Sequence, residues 1–301
     1  MRHFNAALAR IGALALVISV FAFARMVPAP NQLDLINMLT PGDSGVDRVA
    51  KGVVFDRATG LKLDVWAPKQ KSTAKLPVLI FFYGGGWFAG DRGHYGFAGK
   101  AYAARGFVVV IPDYRKVPQV RFPQFNEDGA HAARWVQDNI DKFGGDPKRV
   151  TLSGHSAGAY IAMMLTLDRH YLRDVGVVPD FVRATVGLAG PYDFLPLDSK
   201  RAINAFYGWP KPYETQPLSF ARADAPPIML LTGTADDTVK PRNAIVLARR
   251  LHGLGAVAEF KAYPDLTHED LIMALSKPFR GKATVLDDSA TFLLENARRE
   301  K

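Results

Sequence analysis

From about residue 49 onward the chain alternates short apolar runs with stretches of helical periodicity. Val53-Val54-Phe55 and Leu61 to Trp66 predict a short hairpin turning around Ala58-Thr59-Gly60. Pro77 to Tyr83 and Phe107 to Ile111 are apolar on both faces, as buried parallel strands are. The segment Asn126 to Phe143 carries Ala132, Ala133, Val136, Ile140 and Phe143 at helical spacing and stops at Gly144-Gly145. Val150 to His155 predicts a strand that runs straight into a helix over Ala157 to Leu167. Ala184–Ala189, Ile228–Thr232 and Ala258–Tyr263 predict further strands, and Pro241–Leu251 and Thr284–Arg298 predict helices. The last helix has Asp287 and Asp288 in its first turn and Arg298 and Arg299 in its last, matching the helix dipole. Such alternation defines an α/β class: a mostly parallel central sheet with helices on both faces.

The N-terminal residues follow a different pattern. Arg2 and Arg10 precede an uncharged run from Ile11 to Ala24 that ends in Ala22-Phe23-Ala24, and Pro28 and Pro30 follow. A basic start, a short apolar stretch and an A-x-A site make residues 1–24 a secretory signal peptide, or an N-terminal membrane anchor if uncleaved. The run is shorter than the ~20 residues that span a bilayer, although apolar character resumes at Met26-Val27. The expected organisation is therefore an export or anchor segment (1–24), a linker (25–48) and one catalytic domain (49–301), with an exported, periplasmic or secreted location.

Composition narrows the chemistry. The 301 residues contain no cysteine, which excludes disulfides, a thiol nucleophile, cysteinyl metal sites and lipoprotein processing. The formal charge of +9 suggests a nucleic-acid partner, and loss of Arg2 and Arg10 on export would lower it to +7. Lys69, Lys71, Lys75, Arg249, Arg250, Lys277, Arg280 and Lys282 are spread over separate elements, so no nucleic-acid surface is expected. The sequence shows no cluster of metal-ligating residues, and no cofactor is expected.

Gly154-His155-Ser156-Ala157-Gly158 matches G-x-S-x-G between a strand and a helix, the setting in which a strained turn lifts a serine nucleophile out of the backbone. His155 neighbours that serine, but adjacent residues on such a turn face different ways, so it is not expected to be the base. Gly84-Gly85-Gly86-Trp87 directly follows another apolar strand and could aim backbone N–H groups at an oxyanion. A serine nucleophile needs a base, and the base needs an orienting acid. In this fold they follow the serine in the order acid, then histidine. His170 comes too early and His252 ends a helix. His268 lies in the loop after the strand Ala258–Tyr263 and is the expected base. Asp236 and Asp237 follow the strand Ile228–Thr232, and Asp193 follows the one before it. Position alone leaves the acid open among them.

With these landmarks the chain resembles the α/β-hydrolase superfamily, in particular bacterial carboxylesterases of the hormone-sensitive-lipase and feruloyl-esterase-like branches. The resemblance runs from about Val49 to near the C-terminus. It rests on YGGGW (83–87), GDR (90–92), PDYR (112–115), FPQFNED (122–128), GGDPKRV (144–150), GHSAG (154–158), GTADDTV (233–239) and His268. It implies an α/β-hydrolase fold with a Ser156, Asp236, His268 triad, Asp236 being the residue that falls on the family's acid position. It also implies oxyanion donation from the N–H groups of Gly85, Gly86 and Ala157. Tyr83 departs from the pattern, since HGGG-type members have histidine there.

The implied activity is hydrolysis of short-acyl or aromatic esters, with a small-molecule ester as partner. The connection Pro191 to Pro227 is expected to form a short lid, and Trp87, Tyr192 and Phe194 to wall a substrate pocket. Rival readings that keep the triad are an amidase such as an arylformamidase and a prolyl-oligopeptidase-type peptidase. A catalytically silent binding module is the non-enzyme alternative.

Overall fold

The computed structural model describes residues 43–70 and 74–298. The expected export segment and most of the expected linker lie outside the described residues. Eight strands form one sheet: β1 (Val46–Val54), β2 (Lys62–Pro68), β3 (Leu76–Phe82), β4 (Val108–Pro112), β5 (Gly145–His155), β6 (Val182–Leu188), β7 (Ile228–Gly233) and β8 (Ala258–Tyr263). Their spatial order is β1-β2-β4-β3-β5-β6-β7-β8. The β1–β2 and β2–β4 pairs are antiparallel, and every pair from β4 to β8 is parallel.

β1 is longer than the hairpin arm the hydropathy pattern predicts, taking in Val46 to Arg48 from the expected linker. Asp47, Arg48 and Lys51 mask it, and charge on an outer strand is a common guard against edge-to-edge pairing. The helix α1 (Gly96–Ala103) has no periodic signal in the sequence because nearly all of it is buried. It lies so close to β2 that a Cβ on Gly99 would stand 2.5 Å from the Trp66 ring.

α1 and the C-terminal α8 (Val285–Arg298) cover one face of the sheet. The other carries α2 (Gln124–Asn139), α3 (Ala157–Leu167), α4 (Arg169–Asp174) and α6 (Arg242–Gly253). The shorter α5 (Lys200–Phe206) belongs to the 191–227 connection, and α7 (His268–Met273) follows β8. α2 hands over to a 3₁₀ turn at Ile140–Phe143, which Gly144 ends in the left-handed conformation. α3 is buried on every side, as an almost wholly apolar helix between a sheet and a neighbouring helix must be.

Three of the motifs hold the framework by charge. Arg92 of GDR bonds Asp64 on β2 through Nε at 3.0 Å and also pairs with Asp113 of PDYR, tying the segment after the glycine loop to the antiparallel hairpin. Arg115 grips the fully buried Asp128 with Nε and Nη2, at 3.0 and 2.6 Å, and its backbone N–H adds a third bond at 2.8 Å. Hydrogen bonds in a planar fork of this kind offset the cost of burying a carboxylate.

The sheet's order reverses around β3: the next strand, β4, lies to one side of it and β5 to the other. Open parallel sheets bind ligands at the C-terminal strand ends beside such a reversal. The glycine loop after β3 and the serine turn after β5 meet there.

Candidate active site

Ser156 joins β5 to α3 with φ 55° and ψ −122°. A side chain in that region is strained, and surroundings must hold it there. Its N–H donates to Leu188 O at 2.9 Å, and its carbonyl accepts from Tyr160 N–H at 3.1 Å. The flanking glycines permit the crossing. A Cβ on Gly158 would sit 2.1 Å from Phe82 O, and one on Gly154 would sit 2.4 Å from the Gly158 carbonyl carbon.

The glycine loop lies directly against this turn: a Cβ on Gly84 would stand 3.2 Å from Ser156 Cβ. Gly85 has φ 138°, a conformation that excludes ordinary side chains, and its carbonyl takes the N–H groups of Phe88 and Ala89 at 3.2 and 3.0 Å. The Gly84 N–H is also used, donating to Tyr95 Oη at 3.2 Å. Among the described residues no protein acceptor engages the N–H of Gly85, Gly86 or Ala157. These are the three groups assigned from the resemblance, and Ala157 adds the positive end of the eleven-residue α3.

Asp236 and His268 follow β7 and β8. His268 Nδ1–H donates to Asp236 Oδ2 at 2.8 Å, and both residues are buried. Asp236 Oδ1 accepts from the N–H groups of Thr238 and Val239 at 3.0 and 2.7 Å. The carboxylate therefore cannot rotate freely, and it fixes the tautomer that leaves Nε2 of His268 as the free lone pair. A capping box between Thr267 and Asp270 sets the start of α7 immediately beside His268. The other two aspartates are elsewhere: Asp237 is exposed, and Asp193 pairs with Arg242 at 2.6 Å.

His155 has a part the sequence reading did not anticipate. Its Nε2–H donates to the backbone carbonyl of His268 at 3.1 Å, and the two rings lie 4.6 Å apart. It thereby ties the serine turn to the histidine loop. Burial, with the nearby His268, pushes its pKa well below the ordinary imidazole value, so it stays neutral. The G-H-S-A-G motif shows this histidine, but nothing in one sequence says which loop it reaches.

Tyr83 is fully buried, stacked on Tyr114 with ring centroids 4.6 Å apart. Its hydroxyl accepts from Lys116 Nζ at 3.0 Å and faces Asp113 Oδ1 at 3.3 Å. Burial raises the Tyr83 pKa and lowers that of Lys116, so the phenol holds its proton. The residue that replaces histidine thus anchors the base of the glycine loop to the PDYR segment.

A cleft of about 540 Å³ opens over Ser156, between Gly86 and Trp87 on one side and the 191–202 and 237–243 segments on the other. Trp87 and Phe194 are among the residues that line it. Trp87 (φ 63°) packs edge-on against Phe206 and Tyr160 at 4.8 and 5.5 Å. Tyr192 is a correction. Its side chain turns inward, fully buried in the satellite core under α6, with its ring and hydroxyl against Gly187 and Gly190. The glycines leave a slot that an aromatic ring fills, so Tyr192 packs the start of the connection and does not wall the cleft. Of the other aromatics in the 191–227 connection, Phe206 is buried, whereas Tyr207 and Tyr213 are exposed.

Among the described residues no group of three or more histidines and carboxylates could hold a metal ion, and no helix is long and apolar enough to cross a membrane.

The parallel sheet, the serine turn at its switch point and the histidine–aspartate pair on later strand ends define an α/β-hydrolase. Solved structures share that fold: a truncated carbohydrate esterase from gut microbiota (TM-score 0.72, 21% identity) covers 86% of this chain and 99% of its own. Thermogutta terrifontis esterase 2 phosphonylated by sarin (TM-score 0.70, 22% identity) covers 85% and 96%. Within the class, the BD-FAE family model matches residues 63–251, and the chain belongs to the BD-FAE family. Similar curated proteins include the probable isoprenylcysteine alpha-carbonyl methylesterase ICMEL1 of Oryza sativa subsp. japonica, 29% identical over 83% of this chain and 63% of its own length. The carboxylesterase NlhH of Mycobacterium tuberculosis is 28% identical over 77% and 78%. Esterase LipC of the same species is 30% identical over 64% and 52%. The chain thus spans about three-fifths of the length of the methylesterases it matches.

Proposed function

We propose that the protein is a serine carboxylic-ester hydrolase acting through Ser156, His268 and Asp236. The observation that carries this reading is the buried Asp236–His268 hydrogen bond at 2.8 Å, on a histidine whose neighbour in space is the strained serine turn. The esterase, carboxylesterase and methylesterase names of its relatives support an ester as the bond cleaved.

His268 Nε2 takes the Ser156 proton as Oγ attacks the ester carbonyl. The N–H groups of Gly85, Gly86 and Ala157 receive the developing oxyanion, a contribution worth ~10²–10³ in rate for a single donor. Asp236 holds the imidazole in place and stabilises the imidazolium. His268 then gives its proton to the leaving alcohol, and water, activated by the same histidine, hydrolyses the acyl-enzyme. Trp87 and Phe194 restrict the cleft to short-acyl or aromatic esters.

A fluorophosphonate probe tests the reading: it should label the folded wild type on Ser156 and leave Ser156→Ala unlabelled. A folded wild type that resists the probe, and hydrolyses neither 4-nitrophenyl acetate nor 4-nitrophenyl butyrate, would sink it. Residues 1–24 we read as directing export, which N-terminal sequencing of the mature protein after cell fractionation checks. An intact Met1 on cytoplasmic protein would refute that.

A further inference from the structure

Beside the glycine loop a second cavity of about 210 Å³ adjoins the reaction cleft. Gly86 and Arg201 line both spaces and so form the wall they share. The rest of the annex is walled by Phe88, Val117, Lys200 and Asn204, so that with Arg201 its lining residues include two cations, an amide and no carboxylate. The carboxylates of the site, Asp193, Asp198 and Asp237, line only the main chamber.

Arg201 sits on the oxyanion loop itself, since a Cβ on Gly86 would stand 2.9 Å from its Cδ. Its guanidinium carbon lies 5.4 Å from the centroid of the half-exposed Phe88 ring. No described carboxylate lies within ion-pair distance of Arg201 or Lys200, whereas Arg242 across the cleft is neutralised by Asp193 at 2.6 Å. A guanidinium backed by an aromatic face, with its donors uncommitted, matches a planar oxyanion that accepts two parallel hydrogen bonds.

We infer that the exposed Arg201, on the wall between the reaction cleft and this annex, is an anion subsite of the reaction centre and that the preferred substrates are esters carrying a carboxylate a few bonds from the scissile carbonyl. The inference rests on the esterase reading above and goes further in naming the charge of the substrate. The neutral part of such a substrate lies in the main chamber along Trp87 and Phe194, and its carboxylate meets Arg201 at the wall beside Gly86.

The test uses the full chain and two matched ester pairs at low ionic strength. On the acyl side 4-nitrophenyl hydrogen adipate is compared with 4-nitrophenyl hexanoate, and on the alcohol side 4-acetoxybenzoate with phenyl acetate. The readout is the charged-to-neutral ratio of kcat/KM, in wild type, Arg201→Met and Arg201→Glu, so that intrinsic ester reactivity cancels. In at least one pair the ratio should fall about fivefold in Arg201→Met and further in Arg201→Glu. In wild type it should shrink toward the Arg201→Met value in about 0.5 M salt. Turnover of the neutral esters reports that each variant is folded. Ratios that stay the same in both pairs on Arg201→Met would overturn the subsite and leave the esterase reading standing. Failure of the wild type on the neutral esters would overturn that reading instead.

Discussion

The two halves of the site are built by different forces. At the ends of β3 and β5, shape comes from exclusion: Gly158 and Gly154 let two backbones pass where no Cβ fits, and Ser156 and Trp87 are held at positive φ. At the ends of β7 and β8, shape comes from polar bonds: Asp236 is held by three donors, and a capping box places the residue beside His268. A sterically built half should fail by misfolding when it is altered. A hydrogen-bonded half should keep its fold and lose its chemistry.

The largest expected effect tests the polar half. Asp236→Asn keeps a carbonyl oxygen for the Thr238 and Val239 N–H groups but disturbs the His268 tautomer. It should lower kcat on the order of 10⁴-fold with circular dichroism and unfolding midpoint close to wild type. A loss of fold on the same scale as the loss of activity would break the distinction.

Gly158→Ala probes the steric half. The added methyl would lie 2.1 Å from Phe82 O and 2.5 Å from Tyr83 O, both backbone atoms that cannot swing away. The expected cost is on the order of 3 kcal/mol, a drop in Tm of about 6–12 °C for a domain of this size. A melting curve that superimposes on wild type would show that the crossing has slack.

His155 bridges the two halves, and pH sharpens its part. The folded chain holds its imidazole neutral, while the unfolded chain protonates it near the ordinary value of 6.5. Acid therefore favours the unfolded state: stability is full above about pH 6.5 and falls as pH drops below it, by at most about 1.4 kcal/mol per pH unit. His155→Gln keeps a donor for the His268 carbonyl but does not titrate, so urea midpoints measured from pH 7 to 5 should decline less steeply. Parallel declines in the two proteins would remove His155 as the cause.

The smallest effect is expected at Thr267→Ala, which removes the cap of α7 and should cost about 1 kcal/mol. Hydrogen exchange should quicken in His268–Met273 more than in α3. An equal change in both would mean that the cap acts on the whole fold.

This contrast also explains what could be read early. The elbow, the glycine loop and the order of Ser156 and His268 are visible in sequence because steric exclusion selects one residue type, glycine, at fixed spacing from a strand. The choice of Asp236 over Asp237 and Asp193 came from resemblance. Which of the three meets His268 follows from burial and from the N–H groups of Thr238 and Val239, which only the folded loop presents. Tyr192 shows the converse error: an aromatic beside the site in sequence turned inward because Gly187 and Gly190 leave it a slot. α1 was silent because burial on nearly all sides erases the periodicity by which helices are recognised.

By itself, then, the sequence determined the alternation that makes a parallel sheet, the glycine-flanked serine and the chain order of Ser156, the aspartates after β7 and His268. These are local properties, enforced by backbone sterics and side-chain period. Only the tertiary structure decided which carboxylate meets His268, that His155 clasps the histidine loop, that Tyr83 and Lys116 anchor the glycine loop, and that Arg201 stands unpaired beside Gly86. Each of these is a contact between residues distant in the chain, fixed by how the strand ends converge and by which polar groups the packing leaves in need of a partner.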